Sequence, residues 1–72
     1  MNAPLPTLAI QVNGEAQTTT ATTLHDWVQA QGASPESLAT AVNGQFVPRT
    51  QRSAMVLRPG DHILTFQPIT GG

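Results

Sequence analysis

Residues 7–12 alternate between polar and apolar, so Leu8, Ile10 and Val12 share one side of an extended segment. That two-residue period is the mark of a half-buried strand. Asn13-Gly14 follows. Both residue types tolerate the positive φ angles of a type I′ turn, so the pair predicts a tight hairpin. The returning segment, residues 15–20, is rich in threonine and polar enough for a sheet edge. The period then changes. Leu24, Trp27 and Val28 fall at i, i+3 and i+4, on one face of a helix. Thr23 with Asp26 three residues on resembles a capping box at the helix start. Gly32 supplies a stop, so the spacing predicts a helix over 23–31. A helix this short holds only if its apolar face packs on a sheet.

Ser34-Pro35-Glu36 looks like a second cap, with Pro at the first helical position, and predicts no more than a turn. Residues 39–42 read as a strand, Asn43-Gly44 as a second tight turn, and 45–48 as its return. Residues 49–54 are polar and read as irregular, and 55–57 as a short strand. In Arg58-Pro59-Gly60-Asp61, Pro presets φ and Gly accepts a positive one, which predicts a turn. Residues 62–68 form the last strand, and Ile69-Thr70-Gly71-Gly72 follows. Hairpin, helix, second hairpin and final strand give one helix covering one face of a mixed four- to five-stranded sheet. The fold class is α+β, in the β-grasp (ubiquitin-like) order. The expected division is a flexible leader at 1–6, the domain at 7–68, and a flexible tail at 69–72.

With 72 residues the chain makes one domain with little interior for a deep cleft. A net charge of -1 with 10% charged residues gives no basic field, which argues against nucleic acid and anionic membrane as partners. Cysteine and lysine are both absent, so there is no disulfide, no thiol nucleophile and no Schiff-base lysine. The first residues have neither the basic start nor the apolar run of a signal peptide, and no stretch could span a bilayer. A cytoplasmic location is expected. His25 and Asp26 are adjacent and face different ways on a helix. His25 and His62 without a third ligand make a poor metal site. A phosphate loop and a Gly-x-Ser-x-Gly elbow are both missing. A small hydrolase or metal enzyme using His25 or His62 is thus a poorly equipped alternative. The chain is expected to be no enzyme and to bind no cofactor of its own.

The chemistry points to the end of the sequence. Glycine has no side chain, so Gly71-Gly72 lets backbone enter a narrow channel and come close to a reacting group. Four extended residues, 69–72, reach about 13–14 Å. That suffices to place a carboxylate in a partner's active site while the body stays outside. The carboxylate is ionised at neutral pH. Held against a nucleotide, it can attack the α-phosphorus and form an acyl-adenylate. A sulfur donor then displaces AMP and leaves a thiocarboxylate, a sulfur nucleophile that needs no cysteine in the carrier.

The stretch Ala41-Val42-Asn43-Gly44-Gln45-Phe46-Val47-Pro48-Arg49 resembles the ThiS family's apolar strand, Asn turn and Val-Pro-Arg. Gly60-Asp61-His62-Ile63-Leu64-Thr65-Phe66-Gln67 is similar to its Gly-Asp strand, and Ile69-Thr70-Gly71-Gly72 to its tail. The resemblance covers most of the chain and is strongest from Ala39 onward. It implies a β-grasp sulfur carrier for the thiazole ring of thiamine. Gly72 is then the adenylated and thiocarboxylated residue, with Gly71 and Thr70 as its flexible neighbours. The implied partners are a ubiquitin-activating-like adenylyltransferase of the ThiF type, which uses ATP with Mg, a sulfur donor protein, and a thiazole synthase of the ThiG type. The small subunit of molybdopterin synthase, a carrier for amino-acid biosynthesis, and a non-covalent ubiquitin-like interaction module are the alternatives.

A carrier must dock on its partners, and the sheet face away from the helix is the expected surface. Along the last strand His62, Leu64, Phe66 and Pro68 point one way, and Ile63, Thr65, Gln67 and Ile69 the other. The more apolar Leu64–Phe66 set is expected to face the helix, leaving Ile63 and Ile69 as partner contacts. Trp27 and Phe46 are expected in the core. Arg49, Arg52 and Arg58 are candidates to pair with acidic groups of a partner.

Overall fold

The computed structural model describes residues 7–32 and 35–67. Two hairpins and a lone strand form one five-stranded mixed sheet. The first hairpin pairs β1 (Leu8–Val12) with β2 (Glu15–Thr19), and Val12 lies opposite Glu15 across the turn. The second pairs β3 (Ala39–Val42) with β4 (Gln45–Val47), Val42 opposite Gln45. Both turns carry positive φ at each central residue: 52° and 85° at Asn13 and Gly14, 53° and 84° at Asn43 and Gly44. That is the type I′ signature the Asn-Gly pairs predict. The last strand, β5 (His62–Phe66), lies between the hairpins in the order β2-β1-β5-β3-β4. It runs parallel to β1 and antiparallel to β3.

The helix α1 (Leu24–Ala30) starts where the capping pattern places it, with the Asp26 N–H donating to the Thr23 hydroxyl oxygen at 3.2 Å. Its buried face is Leu24, Trp27 and Val28. They pack on Ile10 and Val12 of β1, Val42 of β3, Val47 of β4 and Ile63 of β5, with Leu57 closing one side. One helix over one face of this mixed sheet is the β-grasp arrangement. Pro35–Ser37 forms a single 3₁₀ turn.

Two segments differ from the sequence reading. Residues 55–57 form no strand of the sheet. Val56 makes an isolated antiparallel bridge to Thr23, flanked by Leu24 N–H to Met55 C=O and Leu57 N–H to Thr22 C=O, each 2.9 Å. The pairing stays short because the helix begins at Leu24 and leaves little extended chain to bond. Arg49–Ala54 is an ordered 3₁₀ helix.

The 3₁₀ helix owes its place to Arg52, expected at the surface and 2% exposed in the fold. Its Nε donates to the Thr40 hydroxyl at 3.1 Å and its Nη2 to the Leu38 carbonyl at 2.6 Å. The Thr40 hydroxyl donates in turn to the Val47 carbonyl at 3.0 Å. Burial lowers the guanidinium's pKa from its ordinary value, and the neighbouring Arg49 adds to the effect. Arg52→Ala is expected to cost about 2–3 kcal/mol, since it leaves a part-buried carbonyl and a buried hydroxyl short of a donor. A lower urea midpoint at unchanged slope checks this.

Candidate functional site

In register, residues opposite one another across a sheet point to the same face. Ile63 pairs with Val12 on one side and Val42 on the other, both in the core. Ile63 is 0% exposed. The expected orientation of β5 is therefore reversed. Ile63 faces the helix and is no partner contact, while Leu64 and Phe66 stand on the open face, 45% and 51% exposed. Two inner valines, Val12 and Val42, and the helix already define the row that receives Ile63. Apolar content alone would choose the Leu64–Phe66 set, but the register decides.

Phe46 is corrected in the same way. It pairs with Ala41, which pairs with Leu64, so Leu64, Ala41 and Phe46 form one row across the open face. Phe46 is 63% exposed. The three-residue β4 has its core-facing place filled by Val47, opposite Thr40. Phe66 lies beside Ala39 in the next row. Trp27 is buried, as expected.

Continuing the registers outward, the open face presents Gln11 and Ala9 from β1 and Ala16 and Thr18 from β2. None of its strand positions is Asp, Glu, Lys or Arg. Small side chains, with Gln11 and His62, make up the rest of this face, and Leu64, Phe66 and Phe46 project from it as an exposed apolar patch. A side chain on β5 belongs to the strand from which the chain continues toward its end.

Other candidates are not brought together. His25 lies on the helix that covers the inner face, and His62 points to the outer face, with the sheet between them. Among the described residues no three His, Cys, Asp or Glu side chains are grouped to hold a metal ion. No helix among them is long and apolar enough to cross a membrane. Thr70, Gly71 and Gly72, the expected chemical end, and Ile69, the second expected contact, lie outside the described residues, as does the leader at 1–6. The sequence reading missed the side chains of the two turn asparagines, which both reach β5. Asn13 bonds Thr65, and Asn43 bonds Asp61 and the backbone of His62.

A small β-grasp body with a bare apolar sheet face beside the strand leading to Gly-Gly defines a ubiquitin-like protein. Known proteins agree. The model of the ThiS family matches residues 7–72. The sulfur carrier protein ThiS of Escherichia coli (strain K12) is 38% identical over 50 residues, 69% of this chain and 76% of that protein. The crystal structure of the thiamine biosynthesis protein ThiS from Geobacter metallireducens superposes with a TM-score of 0.77 at 23% identity, covering 90% of this chain and all of that one. A solution structure of a thiamine biosynthesis protein from the same organism gives 0.73 at 20% identity, over 90% of this chain and 88% of that one. These two likenesses are likenesses of fold. The chain belongs to the ThiS family.

Proposed function

We propose that the chain is a sulfur carrier for the thiazole ring of thiamine, with the Gly72 carboxylate as the group that is loaded. The observation that carries this reading is the family match, which continues through Gly71-Gly72 to residue 72. In the proposed cycle a ThiF-type adenylyltransferase brings ATP and Mg. An oxygen of the Gly72 carboxylate attacks the α-phosphorus, a P–O bond forms, and pyrophosphate leaves. Sulfur delivered by a donor protein at the level of hydrosulfide then attacks the acyl carbon, AMP departs with the C–O bonding pair, and the sulfur loses its proton to leave the thiocarboxylate. The thiocarboxylate passes its sulfur to a ThiG-type thiazole synthase. The carrier takes part as a co-substrate in the cytoplasm, and its partners supply the catalytic groups.

The open face supports this division of labour. Leu64 and Phe66 lie on β5, six and more residues before Gly72 in the chain, so a partner seated on them has the end within reach. Gln67 to Gly72 spans at most about 20 Å when extended. The absence of charged strand residues on that face means that association is driven by apolar burial and is only weakly salt-dependent.

The deciding experiment is intact-mass analysis of the protein incubated with activating enzyme, Mg-ATP and sulfur donor. The expected product is heavier by the replacement of one oxygen by sulfur, localised to Gly72 by fragmentation. A chain that remains an ordinary carboxylate, while the family's Escherichia coli relative is converted in parallel, rules the reading out.

A further inference from the structure

The two Asn-Gly turns do more than reverse the chain. β5 is held from both sides, but unequally. On the β3 side the backbone register runs the whole way, from Val42 opposite Ile63 to Ala39 opposite Phe66. On the β1 side it stops at Val12 opposite Ile63, because β1 turns away there. The Asn13 N–H still reaches the Ile63 carbonyl at 2.9 Å. Beyond that point the Asn13 side chain takes over. Its Oδ1 accepts from the Thr65 N–H at 3.0 Å and its Nδ2 donates to the Thr65 Oγ1 at 3.1 Å. A side-chain amide offers a carbonyl and an N–H as a peptide group does, so Asn13 stands in for the next residue of β1.

Asn43 does the corresponding job at the start of β5. Its N–H donates to the His62 carbonyl at 2.8 Å, its Oδ1 accepts from the His62 N–H at 3.0 Å, and its Nδ2 donates to Asp61 Oδ1 at 3.0 Å. Asn43 therefore fixes where β5 enters, and Asn13 fixes its far end. Both side chains can do so because Asn is tolerated at the positive φ of the first turn position.

We infer that Asn13 is a positioning residue for activation of the chain's end: by gripping Thr65 it sets the direction in which the strand continues toward Gly72. This rests on the carrier function proposed above. Gly72 is the seventh residue after Thr65, up to about 23 Å of extended chain away. With the body docked through Leu64 and Phe66, the root of that segment must be aligned for the carboxylate to meet the α-phosphorus. Misplacement by about 1 Å is enough to slow such a reaction. The hydrogen bonds of Asn13 go to Ile63 and Thr65 and not to the docking side chains, so its loss should act on the reacting geometry and leave affinity alone.

The test is steady-state adenylation by a ThiF-type enzyme, followed as pyrophosphate exchange, on the full chain and three variants. Asn13→Gly keeps a residue that accepts positive φ and removes the grip. Its KM should stay within about twofold while kcat falls about five- to tenfold, and amide exchange at Thr65 should quicken by a similar factor, as for one or two lost hydrogen bonds. Asn13→Asp offers oxygen acceptors to both the Thr65 N–H and the Thr65 hydroxyl, so it should restore kcat and protection. Thr65→Val leaves the turn untouched, removes the hydroxyl bond and should give a smaller fall in kcat. Wild-type kcat in Asn13→Gly, a rise in KM alone, or no rescue by Asp overturns the inference. If Asn13→Gly fails to fold, an unchanged kcat in Thr65→Val overturns it. A wild-type chain that is not adenylated at all tells against the carrier function instead.

Discussion

A chain shortened by Gly72 folds and melts like the full one, yet carries no sulfur. The body's stability comes from a cluster whose last member in sequence is Ile63. Removing the final residue touches none of it, so the midpoint of thermal unfolding should move by less than about 2 °C. The chemistry is affected far more. The remaining carboxylate belongs to Gly71 and sits about 3.3 Å short of its place. Since misplacement by about 1 Å can cost a hundredfold, adenylation should drop by at least that factor. Pyrophosphate exchange and a melting curve on the same preparation separate the two effects. A truncated chain that is activated at the full rate removes the basis for placing the reaction at Gly72.

Replacing Leu64 and Phe66 together by Asp should abolish docking and spare the fold. Both side chains are about half exposed on the open face. Centrally placed apolar anchors are worth about 2 kcal/mol or more each at an interface. Losing about 4 kcal/mol between them weakens association roughly a thousandfold. Titration calorimetry against the activating enzyme and against thiazole synthase should show the same loss if the open face serves both, as proposed. Ile63→Asp, one residue away, should instead unfold the chain, since it forces a carboxylate into a site with no accessible surface. If the Leu64→Asp, Phe66→Asp chain binds normally, docking lies elsewhere on the body.

The element order was legible because its signals are local. A period of two in β1, a period of 3.6 in α1, a Thr cap and two Asn-Gly turns each act within a few residues. The orientation of β5 was not legible, because both of its faces carry large apolar residues. What settles it is the row formed with Val12 and Val42, residues far away in sequence. The inner face also holds Thr40 and Thr65, whose hydroxyls, read alone, argue against a core position. Each is satisfied from a distance, Thr40 by Arg52 and Thr65 by Asn13. Arg52 was hidden by its type, since arginine is rarely buried. Asn13 and Asn43 were hidden by a sufficient explanation: turn chemistry already accounted for both residues, so nothing in the sequence pointed to their side chains.

The position of β5 has a consequence for quality control in the cell. It is the last of the described strands to emerge during synthesis, and the two hairpins share no ladder until it slots between them. The same segment closes the structure and precedes Gly72 in the chain. A nascent or damaged molecule whose sheet is still open therefore lacks the platform that would guide its end into an activating enzyme. If Gly72 is loaded as proposed, loading then favours finished molecules without any separate inspection step.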